Sequence, residues 1–141
     1  MIRLALFSQD GKLQPLLAPA LGRDFQVIAE PEGDRLKQQV WDGSFDVLLL
    51  DLDTDLGNVD EQVEFFEKVS ECGVAVVVMT DDAARPAAID LVQRGAHSYC
   101  RKPPALRELK ATVRRAYEHA AMKRELEGKR AGSLAMRHLQ L

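Results

Sequence analysis

Short apolar runs alternate with segments of helical periodicity along the chain. The apolar runs predict five strands, at residues 2–7, 25–29, 46–50, 74–79 and 97–101. Runs of Val and Leu without polar alternation are typical of strands buried on both faces of a parallel sheet. Apolar residues spaced three and four apart predict helices at about 12–21, 32–41, 86–92 and 104–127, and a further helix that is capped by Asn58 or Asp60 and ended by Gly73.

This alternation predicts an α/β fold, because parallel strands need crossover connections that are usually helical. Five such units over about 120 residues suit the flavodoxin-like doubly wound sheet with strand order 2-1-3-4-5. We expect residues 1–120 to form one domain and residues 121–141 to form a helical extension or linker. In the second helix, Leu36, Val40 and Trp41 are expected to face the core.

Composition favours a globular protein of the cytoplasm. The chain has 141 residues, of which 46% are hydrophobic and 29% are charged. No apolar run is long enough to span a bilayer, and the N-terminus lacks a secretory signal pattern. Cys72 and Cys100 form neither a metal-binding spacing nor a disulfide framework, which favours a reducing compartment. Cys100 lies in a strand pattern and is interpreted as a buried small hydrophobe.

Charge is distributed unevenly along the chain. The net charge of −3 arises from −10 in residues 1–100 and +7 in residues 101–141. Without a DNA-binding motif or interleaved aromatic residues, we interpret the basic end as a helix or linker, with no direct contact to nucleic acid and none to a membrane. Met122 and Leu126 extend an apolar stripe along it, which favours a homodimer that pairs through the last helices.

Three chemically active residues follow three successive strands. Asp51, Thr80 and Lys102 come at the ends of strands three, four and five. In a doubly wound sheet these carboxyl ends converge on one crevice. A carboxylate nucleophile, a hydroxyl and an ammonium group there are suited to phosphoryl transfer.

With this constellation the chain resembles the response-regulator receiver domains (CheY-like) over about residues 2–120. The resemblance implies that Asp51 is the phospho-acceptor, that Thr80 and Lys102 contact the phosphoryl group, and that Thr80 and Tyr99 act as switch residues. The resemblance also implies that the Lys102-Pro103 peptide bond is cis, as this bond usually is in the family. The implied partners are a histidine kinase or phosphotransfer protein, and an output domain, in cis or on a partner protein, that is controlled through the face of helix four, strand five and helix five. The last helix is similar to that of receivers preceding a sigma-54 activator ATPase.

The acidic pair that holds Mg²⁺ in this family is absent. Ser8 and Gln9 occupy its positions, and Asp10 is the acidic residue that is retained. Because Mg²⁺ prefers charged oxygen ligands in octahedral geometry, this substitution argues against Mg²⁺ as a cofactor. Asp10, Asp51 and Asp53 are the remaining candidates for a relocated metal site. Asp81 adds a carboxylate directly after Thr80.

Two other functions stay open at this point. The first is a degenerate receiver that acts as a phosphorylation-independent protein-interaction module, which the loss of the acidic pair favours. The second is a phosphohydrolase of the haloacid-dehalogenase type, because residues 51–54 fit its Asp-x-Asp-x-Thr signature. In that enzyme Asp51 would be the nucleophile and Asp53 the general acid. The position of the signature after the third strand rather than the first, and the lack of a cap domain, argue against it.

Overall fold

The computed structural model describes residues 1–8, 10–30, 32–52, 59–102 and 104–139, and the side chains of these residues apart from 59–63, 70 and 127–139. Strands and helices alternate throughout. The strands are β1 (Ile2–Phe7), β2 (Phe25–Ala29), β3 (Val47–Asp51), β4 (Ala75–Thr80) and β5 (Ser98–Arg101). The helices are α1 (Leu13–Leu21), α2 (Gly33–Trp41), α3 (Val59–Glu71), α4 (Arg85–Gln93) and α5 (Leu106–Leu139).

The five strands form one parallel sheet in the order β2-β1-β3-β4-β5. The predicted fold class and strand order are therefore confirmed. In the register, Leu50 of β3 lies beside Phe7 of β1 and Val78 of β4. The carboxyl ends of the three central strands consequently meet at the same edge of the sheet.

Alternate residues of each central strand pack into two separate hydrophobic cores, one on each face of the sheet. Val47 and Leu49 of β3 pack into a core that α1 and α5 cover, whereas Leu48 and Leu50 pack into a core covered by α2, α3 and α4. All four side chains are buried. This is why β3 up to Leu50 and β4 up to Met79 are apolar at every position: neither face of the sheet meets water there.

Helix α5 is longer than predicted. It begins at Leu106 rather than Pro104 and continues to Leu139 instead of ending near residue 127. Gly128 and Gly132 lie in the added turns, but a glycine costs a helix only about 1 kcal/mol relative to alanine. Within the described side chains, the last buried residue of α5 is Ala120. The helix passes the predicted domain boundary at residue 120 without a break.

One expected core residue was placed wrongly. Trp41 is 66% exposed, whereas its neighbours on α2, Leu36 and Val40, are buried. Trp41 is the last residue of the helix, so it follows the buried Val40 by a single step of 100° and turns away from the sheet. The cap proposed for α3 at Asp60 is also wrong, because this helix already begins at Val59. Its alternative, Asn58, lies outside the described residues.

An ion pair between β1 and β3 and a close approach of α5 to a glycine lie near the amino ends of the strands. The carboxylate of Asp46 accepts hydrogen bonds from the backbone N–H of Arg3 (2.8 Å) and from its guanidinium group (3.1 and 3.3 Å). Gly73 has φ +78° and no side chain, and Arg124 of α5 occupies the space where a Cβ would stand. Burial would raise the pKa of Asp46, but hydrogen bonds from Arg3 and the charges of Arg3 and Arg124 hold that pKa below its ordinary value.

Among the described helices, none is long and apolar enough to cross a membrane.

Candidate functional site at the carboxyl edge of the sheet

Asp51 is buried at the point where β3 ends. Only 2% of the residue is exposed, and it is the last residue of the strand. The backbone then turns, and the N–H of Leu52 donates to the carbonyl oxygen of Met79 at 3.0 Å. The position of Asp51 therefore follows from the apolar run before it, which places the carboxylate at the crevice but below its surface.

Two groups converge on one oxygen of this carboxylate. The hydroxyl of Ser8 donates a hydrogen bond to Asp51 Oδ2 at 2.7 Å, and Lys102 Nζ lies 3.0 Å from the same oxygen. Lys102 is brought there by β5, whose end is held by a hydrogen bond from the Lys102 N–H to the carbonyl of Thr80 (2.8 Å). A buried carboxylate needs such partners, because desolvation of an unpaired charge is costly.

Thr80 is buried at the end of β4, as predicted, but its hydroxyl is directed to the backbone. Thr80 Oγ1 donates to the carbonyl oxygen of Asp81 at 3.0 Å. The carboxylate of Asp81 accepts the N–H of Ala84 at 2.8 Å, at the start of α4. The negative charge at position 81 is thus engaged in a turn, which could not be seen from its place in the sequence.

Tyr99 and Arg101 lie on β5 on either side of Cys100. Tyr99 is half-buried and packs against the core that α2, α3 and α4 cover, whereas Arg101 is exposed. Burial raises the pKa of the Cys100 thiol to about 12, with a smaller contribution from Glu108. A thiol with that pKa is protonated and unreactive at neutral pH, which confirms the interpretation of Cys100 as a buried hydrophobe. Pro103, and with it the cis peptide bond, lies outside the described residues.

The described oxygen atoms near Asp51 do not by themselves form a Mg²⁺ site. Ser8 Oγ donates to Asp51 and accepts the N–H of Asp10 (3.0 Å), so both of its functions are engaged. The carboxylate of Asp10 accepts the N–H of Lys12 at 3.0 Å in an exposed turn. Within the part of the chain that is described, no group of three His, Cys, Asp or Glu residues is placed to hold a metal. The candidates Gln9 and Asp53 lie outside that part.

Ser8 is the residue whose importance was underestimated from sequence. It was recognised as a degenerate position, but its direct contact with Asp51 was not predicted. A signal existed: Ser8 follows β1, which neighbours β3 in the predicted strand order, so the two side chains had to end at the same edge. The ring of His119 lies 5.2 Å from that of His97, measured between centroids, a pairing that the spacing of the two residues in the sequence does not indicate.

Solved structures provide the comparison with known proteins. The chain is similar to NtrX from Brucella abortus, crystallised in complex with ATP, with a TM-score of 0.75, 19% identity and 90% coverage of this chain. It spans 29% of the length of that protein. It is also similar to a response regulator receiver domain protein from Clostridium thermocellum, with a TM-score of 0.73, 20% identity and coverage of 86% of this chain and 98% of the other.

A third similar structure is a pilus assembly-related protein from Burkholderia pseudomallei. Its TM-score is 0.65 at 25% identity, with coverage of 84% of this chain and 90% of that one. No protein-family model matches the sequence. No curated protein matches it either.

Proposed function

Since the chain has the fold of the response-regulator receiver domains, we propose that it is a receiver module of a two-component signalling pathway. Asp51 accepts a phosphoryl group from a histidine kinase or a phosphotransfer protein. The observation that carries this proposal is the contact of Lys102 Nζ with the buried Asp51 Oδ2, at 3.0 Å. This contact supports the proposal because it brings a carboxylate and a cation, two groups that phosphoryl transfer uses, into one crevice.

The chemistry follows from these two groups. A carboxylate oxygen of Asp51 attacks phosphorus, the bond to the donor group breaks, and an acyl phosphate forms. The ammonium group of Lys102 is then close enough to neutralise phosphoryl oxygens. The acyl phosphate carries about 1.5 to 2 negative charges where the carboxylate carried one, and the groups around this buried position must rearrange to accommodate it.

The rearrangement is proposed to reach an output domain through the face formed by α4, β5 and α5. Thr80 hydrogen-bonds only one residue away, to the carbonyl of Asp81, so a rotation of its side chain can bring it to a phosphoryl oxygen. Tyr99 lies on the strand between α4 and α5 and is half-buried. The same face exposes Ile89 (40%) and Leu106 (43%), two apolar side chains suited to a protein contact.

The hydroxyl of Ser8 favours a second candidate function. It donates to Asp51 at 2.7 Å, at a position where the family has a metal-binding carboxylate. Lys102 balances the charge of Asp51, and Ser8 donates a hydrogen bond to it. A site held in this way can serve as the fixed core of an interaction module that needs no phosphorylation. In that case the α4–β5–α5 face binds its partner constitutively.

The intact mass of the protein after incubation with acetyl phosphate and Mg²⁺ tests the proposal. One phosphoryl adduct is expected on the wild-type chain and none on Asp51→Ala. Asp81→Ala is a matched control, since it also removes a carboxylate near the crevice but not the nucleophile. Its adduct should persist.

If the wild-type protein is folded but forms no adduct, the proposal of phosphorylation on Asp51 is rejected. The interaction module is then the function that the site supports. Incubation with a generic aryl phosphate in the same buffer distinguishes the receiver and the interaction module from the phosphohydrolase, because only the phosphohydrolase would turn it over. Turnover that disappears in Asp53→Ala would identify such an enzyme and overturn the receiver proposal.

A further inference from the structure

A basic pocket lies at the amino ends of the strands, at the opposite end of the sheet from Asp51. It lies between the start of β4, the segment that leads into β5, and α5, and it has a volume of about 350 Å³. Its polar side chains are His97, His119, Lys123 and Arg124. We infer that this pocket binds a small organic phosphate, with the phosphate on the basic side chains and the organic group on the apolar wall.

The charge of the pocket supports an anionic ligand. Among the described residues that line it, every ionisable side chain is basic. Lys123 and Arg124 are exposed, so a ligand can reach them from solvent. Arginine and lysine are the residues that bind phosphate most often, through charge-assisted hydrogen bonds. The carbonyl ends of α3 and α4 face the same region, but their partial charges are smaller than those of two full cations.

The two histidines add hydrogen-bond donors at the same place. Their ring centroids are 5.2 Å apart, with planes tilted by 56°. His97 Nδ1 lies 3.1 Å from Ser98 Oγ, which fixes the orientation of the ring. Burial, followed by the charges of His119 and Arg115, lowers the pKa of His97. A phosphate would offset the positive charges that surround this imidazole.

The rest of the lining is apolar. Phe66, Val74 and Ala120 contribute to the wall and are buried. A volume of about 350 Å³ exceeds what a bare phosphate needs and falls at the lower end of ordinary ligand pockets, which begin near 300 Å³. The ligand is therefore expected to carry an organic group of about the size of one aromatic ring.

The pocket also lies where α5 leaves the body. Ala120 is the last buried residue of the described α5 side chains, and Lys123 and Arg124 follow it in the next turn. A ligand held by His97 on the body and by Lys123 and Arg124 on the helix would join the two. Its binding would reduce the mobility of α5 at its exit point, independently of phosphorylation at Asp51.

Phenyl phosphate is the probe, and ¹H–¹⁵N NMR of the full chain is the measurement. At constant ionic strength, the amides of Gly73, Gly95 and Ala120 should shift saturably. Phenol tests the apolar wall alone, and benzoate tests a carboxylate in place of the phosphate. Both are expected to bind at least about tenfold more weakly, the loss of affinity that a strong ionic hydrogen bond represents.

Charge-neutral variants then test the assigned residues. Arg124→Gln and His119→Gln should each weaken phenyl phosphate about tenfold. Arg107→Gln is the matched control, because it removes an exposed cation from the same helix outside the pocket; its affinity should change less than about twofold. The amide spectrum of each variant verifies the fold.

Three results would overturn the inference: no saturable shift at the pocket, equal binding of phenol or benzoate, or loss of binding in Lys102→Gln. The last would place the phosphate at the Asp51 crevice instead. The test does not depend on whether Asp51 is phosphorylated.

Discussion

At the scale of single residues, the hydroxyl of Ser8 limits what the carboxylate of Asp51 can bind. Its proton is donated to Asp51 Oδ2, and its oxygen accepts the N–H of Asp10. A second carboxylate at position 8 would instead be held against Asp51 and would repel it unless a cation lay between them. The side chain at position 8 therefore decides between two kinds of site. With serine, Asp51 is held by Ser8 and Lys102, whereas with a carboxylate the two acidic groups need a cation between them.

The variant Ser8→Asp tests this difference. We expect it to lower the free energy of unfolding by about 1–3 kcal/mol without divalent cations, because two carboxylates meet in a buried site. Mg²⁺ should recover this loss, by about 2.7 kcal/mol at a hundredfold excess over its Kd. Urea unfolding with and without Mg²⁺ measures both effects. Ser44→Asp, at the opposite end of the sheet, should show no dependence on Mg²⁺, and an equal dependence in both variants would contradict the prediction.

Asp46 is the residue for which a dependence on pH can be predicted with its sign. Burial is the largest single influence and would raise its pKa, but the hydrogen bonds from Arg3 and the charges of Arg3 and Arg124 together hold the pKa in the folded state below its ordinary value of 3.8. Its contribution to stability is therefore complete above about pH 4 and is lost as the pH falls through the folded pKa. Asp46→Ala should cost about 1–3 kcal/mol at pH 7, since it also leaves the Arg3 N–H without its acceptor.

Urea unfolding of wild-type and Asp46→Ala proteins at pH 7 and pH 3 measures this difference. The gap between the two proteins should narrow at pH 3. A gap of the same size at both values would show that the ion pair does not stabilise the fold.

At the scale of elements, the body-facing side of α5 explains why this helix is required although half of it extends beyond the core. Leu109, Val113, Ala116 and Ala120 are buried and recur at spacings of three and four. They cover the sheet on the side of α1. Leu126, on the same helix, is 55% exposed.

These two leucines form a matched pair for mutagenesis. Leu109→Ala should lower the free energy of unfolding by about 2–5 kcal/mol, because it opens a cavity in a closed core. At a protein concentration low enough to keep the chain monomeric, Leu126→Ala should change it by no more than about 0.5 kcal/mol. Thermal or urea unfolding of the isolated variants measures both, and equal losses would mean that the two ends of α5 are stabilised in the same way.

The sequence predicts elements well where periodicity is supported by burial. The two cores follow from the two-sided apolar runs of β3 and β4, and the ends of β3, β4 and β5 locate Asp51, Thr80 and Lys102 at one edge. The exposure of Trp41 follows from the step of 100° per helical residue, which takes it off the face of Leu36 and Val40; its apolar side chain alone suggested a core position. The contact between Ser8 and Asp51 depends on rotamers and on the exact end of β1, which hydrophobic patterns do not encode.

At the scale of the whole molecule, charge and apolar surface are separated along α5. Residues 1–100 carry a net charge of −10 and residues 101–141 carry +7. Met122 (63%) and Leu126 (55%) are exposed next to Ala120. A second copy of the helix could cover these two side chains, which is the basis for the proposed homodimer.

Light scattering of the full chain at high protein concentration should give the mass of a dimer. The double variant Met122→Glu/Leu126→Glu should be a monomer, because the added charges would face each other in the pair. Ile89→Glu, which alters an exposed residue of α4, is the control and should remain dimeric. A strictly monomeric wild-type protein would exclude pairing through α5.

The length of α5 also has a mechanical consequence. Leu139 lies 19 residues beyond Ala120 in a continuous helix, a distance of about 28 Å at ~1.5 Å per residue. A tilt of ~10° about the exit point would move the tip by about 5 Å, by the same geometry. Small shifts in the packing of Ala120, or of Arg124 over Gly73, would thus be amplified along a lever arm. The fold thereby converts a change at its base, too small to alter the core, into a displacement of about 5 Å at the tip of the helix.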